Sequence, residues 1–365
     1  MTNKKILEVC LSPDLGGLEL YMSNCSNELS KEFDVSCVVS TNSKLKDFIK
    51  NVKTFEIQRK SSFSFVSSFR LAKIIDQEDI DIVHLHWTKD IPIIVLAKLL
   101  SKRKPKIVQT RHMTMTRFKD DFYHNFLYKS IDTIICVTKA LEDQINKFIP
   151  EKTRPKTKVI YLGANAPELL CDDKIEEFKK ELEIGSAFIV GLVGRINEFK
   201  GQHLLIEAMK LLKEKELNIK AYIVGSAMNN EYLEKLKQQV KDYSLEDHII
   251  FVGFTKEPTK FMQVSDVILM TSKNETFGLV TVEAMKVGTA VVGSNSGGVL
   301  EIIDDKESGL LFETGDFKDL ASKIEMLYDD KELKNKLAKA GHKKANECFD
   351  SNKQFEKLNS FLKMI

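Results

Sequence analysis

Two doubly wound α/β domains in tandem are what this sequence predicts. Short apolar runs alternate with amphipathic stretches from end to end, and the alternation restarts near the middle of the chain. At 365 residues the chain is too long for one ordinary α/β unit and suits two domains of about 150–200 residues each. Strands that are apolar along their whole length and separated by helices belong to parallel sheets covered on both faces.

In the first half, strands are expected at residues 6–11, 35–40, 81–86, 106–110, 133–137 and 158–161. Leu18, Tyr21, Met22, Cys25, Leu29 and Phe33 fall at spacings of three or four, the mark of a helix with one buried face. Residues 161–171 contain Gly163 and Pro167 and few periodic apolar residues, and read as a linker. Six further strands follow at 188–193, 219–224, 249–252, 267–270, 290–293 and 309–312, and residues 316–363 read as helical throughout. The expected domains are 1–165 and 166–349, with a terminal helix at about 350–365. Two such sheets in tandem leave a cleft, and ligands are expected beyond the carboxyl ends of the strands.

Composition narrows the function. Apolar residues make up 43% of the chain, charged residues 30%, and the net charge is +2, which argues against a dedicated nucleic-acid binder. The six cysteines show no CxxC spacing, and Cys10, Cys37 and Cys136 sit inside apolar runs as small reduced core residues. A polar start running into a strand, and no apolar run near the roughly 20 residues a span requires, lead to the expectation of a cytoplasmic protein.

Three strand-to-helix turns in the second half carry the chemistry. After the strand at 267–270 comes a loop with Glu275, then Phe277, Gly278, Leu279 and Val280 at a helix start, then Glu283 inside that helix. Free N–H groups at a helix start suit a phosphate, and carboxylates suit neighbouring sugar hydroxyls. Taken alone, the two carboxylates read first as a helix cap and a solvated helix position. Upstream, Gly194, Arg195, Lys200 and Gly201 follow a strand: two cations to share one anion, and two glycines to let the backbone approach. Downstream, Gly297 and Gly298 turn into a short helix bearing Glu301.

These motifs resemble glycosyltransferase family 4, retaining enzymes of the GT-B fold. The matching residues are GRxxxxKG at 194–201, VGF at 252–254, SDV at 265–267, ETFGLVxxEAM at 275–285, GGxxEI at 297–302 and ESGLLF at 307–312. The likeness is dense over 188–345. In the first half it rests on Gly16, Gly17 and Glu19 and on the run Asp81 to His86. The resemblance implies that Arg195 and Lys200 hold a donor diphosphate and that Glu275 orients the transferred sugar. Residues 277–280 then offer backbone amides, Glu283 binds the ribose, and Gly194, Gly253 and Phe254 lie near the nucleotide. Residues 224–227, reading VGSA, lack the second glycine and the acidic residue common in the family at that turn, so the base contact there departs from the pattern. Gly16 and Gly17 are expected to approach the donor phosphates, and His112 resembles the active-site histidine that touches the donor sugar. The final helix is expected to return to the N-terminal, acceptor-binding domain.

The expected activity is retaining transfer of a hexose or N-acetylhexosamine from a nucleotide-diphosphate sugar, with a UDP-sugar favoured. The expected acceptor is a glycan or lipid-linked molecule of surface-glycan synthesis. A nucleotide-sugar epimerase and a catalytically silent scaffold of the same fold are the alternatives. No metal or other cofactor is expected. Asp79 and Asp81 form a DxD, but ahead of a strand and far from the donor motifs. His84 and His86 alternate onto one strand face, with no third ligand evident. Lys98, Lys102, Arg103, Lys104 and Lys106 read either as a solvated helix end or as a patch for an anionic membrane surface.

Overall fold

The computed structural model describes residues 4–59, 61 and 63–365, which form two compact units: the described residues up to 161 with 353–365, and residues 162–352. The first unit holds a seven-stranded parallel sheet of β1 (Lys5–Cys10), β2 (Asp34–Ser40), β3 (Lys53–Ile57), β4 (Ile82–Leu85), β5 (Lys106–Arg111), β6 (Thr133–Cys136) and β7 (Lys156–Val159). Their order is β3-β2-β1-β4-β5-β6-β7. The helices of this part are α1 (Gly17–Leu29), α2 (Phe65–Gln77), α3 (Ile91–Leu100), α4 (Phe122–Lys129) and α5 (Lys139–Phe148).

The sequence pattern missed β3. Lys53 and Glu56 are exposed and only Ile57 is fully buried, so this edge strand is polar and open to solvent and never forms a continuous apolar run. The central strands β1, β4 and β6 are buried on both faces, and their largely apolar runs, interrupted by Glu8 in β1 and His84 in β4, made them readable.

The second unit holds a six-stranded parallel sheet in the order β10-β9-β8-β11-β12-β13. Its strands are β8 (Phe188–Val193), β9 (Ile219–Val224), β10 (Ile249–Gly253), β11 (Val267–Met270), β12 (Ala290–Ser294) and β13 (Leu310–Phe312). Around it lie α6 (Asp172–Glu181), α7 (Gln202–Glu214), α8 (Asn230–Asp242), α9 (Pro258–Val264), α10 (Leu279–Lys286), α11 (Val299–Ile302), α12 (Phe317–Asp329) and α13 (Lys331–Cys348). Val190, Leu205, Ile223, Leu269 and Val292 are central to one core; Ile189, Tyr222 and Phe261 form another.

The last helix, α14 (Ser351–Met364), packs Phe355, Leu358 and Leu362 into the core of the first unit beside Ile6, Cys25, Leu29 and Ile135. Asn359 donates to Glu32 at 3.0 Å, and Lys363 pairs with the same carboxylate. The division at residues 161/162 falls a few residues before the expected 165/166. Ala164 exchanges backbone hydrogen bonds with Phe349 and Ser351 and accepts one from the buried ammonium of Lys286 at 2.6 Å, so residues 162–165 belong with the second unit. No helix among the described residues is long and apolar enough to cross a membrane.

Candidate active site

Strand order places the candidate residues. In the first sheet the direction of strand addition reverses between β1 and β4, in the second between β8 and β11. Ligands of open α/β sheets bind beyond the carboxyl ends of the strands at such a reversal. Arg195 follows β8 and Glu275 follows β11; Gly16 follows β1 and His86 follows β4.

In the second unit, three strand-end glycines bring the turns after β8, β9 and β10 together. A Cβ on Gly225 would lie 2.0 Å from the Gly194 carbonyl oxygen, and Gly225 donates to the Gly253 carbonyl at 2.8 Å. The VGSA turn that departs from the family pattern is held by pairing of Ile196 with Ala227, and Ile196 donates to the Ser226 carbonyl at 2.9 Å. Arg195 is exposed, and its guanidinium meets no partner among the described residues. Phe254 is also exposed.

The cation and carboxylate read from separate motifs meet. Lys200 Nζ stands 2.6 Å from Glu275 Oε2, with both side chains partly buried. The backbone makes this juxtaposition firm. Gly201 has φ +71°, and a Cβ there would lie 2.4 Å from the Thr271 carbonyl oxygen, while Thr271 Oγ1 donates to the Lys200 carbonyl at 2.6 Å. From the other side, Gly298 donates to the Glu275 carbonyl at 2.8 Å, and a Cβ on Gly297 would lie 2.3 Å from that same oxygen. Only glycine fits such approaches.

Gly278, at φ +100°, starts α10. The Phe277 ring is buried edge-on to Phe349, leaving only its backbone as a candidate for binding; Leu279 and Val280 are half-buried at the helix start. Glu283 keeps part of its surface open, yet burial pushes its carboxyl up to about 7. That carboxyl makes no ion pair or hydrogen bond among the described residues. A carboxylate held without a partner is poised to accept hydrogen bonds from a ligand. Among the described residues no hydrogen bond or ion pair joins Arg195 or Glu283 to the Lys200–Glu275 pair.

In the first unit, Gly16 caps α1 in an extended conformation, and a Cβ on Gly17 would meet nothing within 4 Å. His112 follows β5 and belongs to a buried network. Register places Glu8 of β1 beside His84 of β4. Glu8 Oε1 lies 2.8 Å from His84 Nδ1 and Oε2 lies 2.7 Å from His86 Nε2. His84 Nε2 meets Thr110 Oγ1 at 2.7 Å, and His86 Nδ1 meets His112 Nε2 at 3.3 Å. Burial alone would raise the Glu8 carboxyl; the charge of His84 and hydrogen bonds from both imidazoles overcome it and bring it down to about 2. Burial, then His84, lowers His86 to about 4; burial, then His86 and His84, holds His112 well below the ordinary histidine value.

Sequence reasoning missed Glu8, and with it the third donor atom beside His84 and His86; the three together are a group that could hold a metal ion. A signal was there: a lone carboxylate inside an otherwise apolar central strand must find a partner.

A family model for glycosyl transferases group 1 matches residues 173–344, and one described as glycosyl transferase 4-like matches residues 8–138. The chain belongs to the group 1, family 4-like glycosyltransferases. It is 25% identical to the capsular polysaccharide biosynthesis glycosyltransferase CapM of Staphylococcus aureus, over 91% of either chain. It is 26% identical to the N-acetyl-alpha-D-glucosaminyl L-malate synthase of Bacillus anthracis, over 83% of this chain and 79% of that one. The solved structure of Anabaena Alr3699/HepE in complex with UDP and glucose shares its fold, with a TM-score of 0.87 and 22% identity over 99% of this chain and 100% of that one.

This glycosyltransferase engages most of its basic segment internally. Lys98 pairs with Asp132 at 2.9 Å and Arg103 with Asp81 at 2.7 Å. Lys104 donates to the Leu99 carbonyl at 2.5 Å and Lys106 to the Ile365 carbonyl at 2.8 Å. The Lys102 ammonium alone of the five makes no hydrogen bond or close ion pair among the described residues, though its charge acts on Asp76. The segment exposes Leu99 and Leu100, and larger, mainly aromatic groups are exposed elsewhere in the unit: Phe63, Phe65, Val66 and Phe69 around the start of α2, with Phe118, Phe122 and Phe126 around α4. A contact of Phe63 with Tyr123, centroids 5.6 Å apart, brings the two groups together.

Proposed function

We propose that this glycosyltransferase moves a hexose or N-acetylhexosamine from a UDP-sugar, with retention and without a metal, to a lipid-linked acceptor of surface-glycan synthesis. The observation that carries the reading is the Lys200–Glu275 pair at the reversal of the second sheet, with Arg195 unengaged on the neighbouring turn. In the free enzyme Lys200 neutralises Glu275. A donor diphosphate offers Lys200 and Arg195 a more highly charged partner, and Glu275 is released to accept hydrogen bonds from sugar hydroxyls. Glu283 receives the ribose hydroxyls, and the amides of residues 277–280 face sugar and phosphate. The two cations stabilise the charge that develops on the leaving diphosphate. That diphosphate takes the acceptor's hydroxyl proton as the new glycosidic bond forms on the face it vacates. No enzyme carboxylate attacks the sugar, in contrast to retaining glycosidases.

The capsule-synthesis name of the Staphylococcus aureus relative supports a surface-glycan acceptor, and the UDP and glucose of the Anabaena structure support the donor class. The exposed aromatics around α2 and α4 support a lipid-linked acceptor met at a membrane surface. Product analysis tests the proposal. With a UDP-hexose panel and membrane lipid extract as acceptor, an α-linked product should form from an α-linked donor and persist in excess EDTA. A β-linked product, or loss with EDTA reversed by manganese, would refute retention or metal independence respectively.

A further inference from the structure

Glu8 takes no part in the steps above, yet it is fully buried and is the centre of a five-residue network. We propose that Glu8, acting through His86, is a positioning residue. It fixes His112 as the tautomer protonated at Nε2 and leaves His112 Nδ1 as an acceptor for a sugar hydroxyl.

The tautomer follows from counting protons along the chain of contacts. An ionised carboxylate only accepts hydrogen bonds, so the nitrogens facing Glu8, His84 Nδ1 at 2.8 Å and His86 Nε2 at 2.7 Å, each carry a proton. A neutral imidazole has one N–H, so His86 Nδ1 is a lone pair. The group facing that lone pair at 3.3 Å is His112 Nε2, which must donate. His112 packs against His86 and Tyr21 with no carboxylate paired to it among the described residues, an environment that favours a single proton on its ring. Its remaining nitrogen, Nδ1, is therefore an acceptor, and it meets no partner among the described residues while the residue keeps part of its surface open. His84 occupies the second oxygen of Glu8 and is anchored in turn at Thr110, which prevents the carboxylate from swinging away. Tyr21 packs edge-on against both His86 and His112, at 5.9 and 5.1 Å between centroids, and holds the ring planes.

The same atoms could be taken for a metal site. The contacts of 2.7 and 2.8 Å are hydrogen-bond separations, whereas two ligands at about 2.0–2.1 Å from a tetrahedral zinc stand roughly 3.3 Å apart. The geometry favours protons between these groups.

The catalytic part of the inference rests on sugar transfer as proposed above and on His112 meeting the donor sugar, as the family resemblance implies; the tautomer rests on neither. The test is histidine 15N NMR on the full-length, ligand-free protein at pH 7, with His112 assigned by His112→Gln. Pyrrole-type Nε2 and pyridine-type Nδ1 are expected on both His86 and His112. A proton on His112 Nδ1, an imidazolium at His112, or one equivalent of zinc that shifts the His84 and His86 resonances would overturn it.

The second arm compares Glu8→Gln with His84→Gln. An amide can donate as well as accept, so Glu8→Gln should give mixed tautomers at His112 and lower kcat at least about tenfold, with a smaller change in donor KM. His84→Gln can still donate to Glu8 and should keep the His112 tautomer. A shifted tautomer with unchanged kcat would overturn the positioning role. Absence of transfer from every donor by the wild-type enzyme would instead bring down the proposed function and leave the measured tautomer standing. The wild-type spectrum decides the relay even if Glu8→Gln does not fold.

Discussion

Replacing Glu283 by glutamine should stabilise the ligand-free enzyme while weakening its hold on nucleotide, and both effects should depend on pH. Burial lifts the carboxyl from 4.5 to about 7. At about 1.4 kcal/mol for each tenfold change, this corresponds to about 3 kcal/mol, which the partly open surface reduces to about 1–3 kcal/mol. The sign is fixed by proton binding. Between pH 4.5 and about 7 the folded state holds this proton and the unfolded state has lost it, so the group's contribution to stability falls as pH rises through that window, then stays level. Denaturant unfolding of wild type and Glu283→Gln should therefore nearly coincide at pH 5, with the variant about 1–3 kcal/mol more stable at pH 8. Hydrogen bonds from ribose hydroxyls favour the ionised form. UDP affinity of the wild type should therefore rise with pH up to about 7 and then level off. The terminal phosphate of UDP titrates near about 6, and the variant, lacking the carboxyl, reports that contribution alone. A stability difference constant from pH 5 to 8, or identical calorimetric affinity profiles for the two proteins, would refute the assignment of Glu283.

The remaining predictions concern the loops around it. Glu275→Gln frees Lys200 from its 2.6 Å partner, so bare UDP should bind equally or more tightly by calorimetry while kcat falls on the order of 10- to 100-fold. Gly201→Ala forces a Cβ toward the Thr271 carbonyl at a left-handed φ, and should cost at least about 1–2 kcal/mol in chemical denaturation. Lys286→Met leaves the Ala164 carbonyl without its buried donor and removes the ion pair with Asp350; a loss of about 1–3 kcal/mol is expected in the same assay. Phe65→Ser with Phe122→Ser should reduce co-flotation with anionic vesicles containing membrane lipid extract, leaving UDP binding unchanged.

The fold was legible where burial is two-sided. Strands such as β8 and β11 are apolar throughout, and their limits could be read directly; β3 escaped because it is an edge strand with charged residues on solvent and only Ile57 fully buried. Among site residues, the glycines and charges after β8 and β11 stood out because strand-to-helix turns announce themselves by composition. That Lys200 and Glu275 form one pair was not legible, since it depends on the packing of two turns 75 residues apart in sequence. Glu8 was hidden for another reason. Its partners, His84 in β4 and His86 just after it, are adjacent in space but 76 and 78 residues away, and one sequence carries no record of strand order. The basic segment was legible as charge, but the pairing of Lys98 and Arg103 with acidic neighbours is a property of the fold alone.

The central claim is that the second sheet's reversal holds a nucleoside diphosphate through Arg195 and Lys200. Thermal unfolding of the wild type with and without UDP, beside Arg195→Ala Lys200→Ala, tests it most directly. UDP at about 100 times its dissociation constant should add about 2.7 kcal/mol to wild-type stability, and the same concentration should leave the double variant's Tm unmoved. An equal rise in both proteins would contradict the claim. So would a wild type that responds to no nucleoside diphosphate.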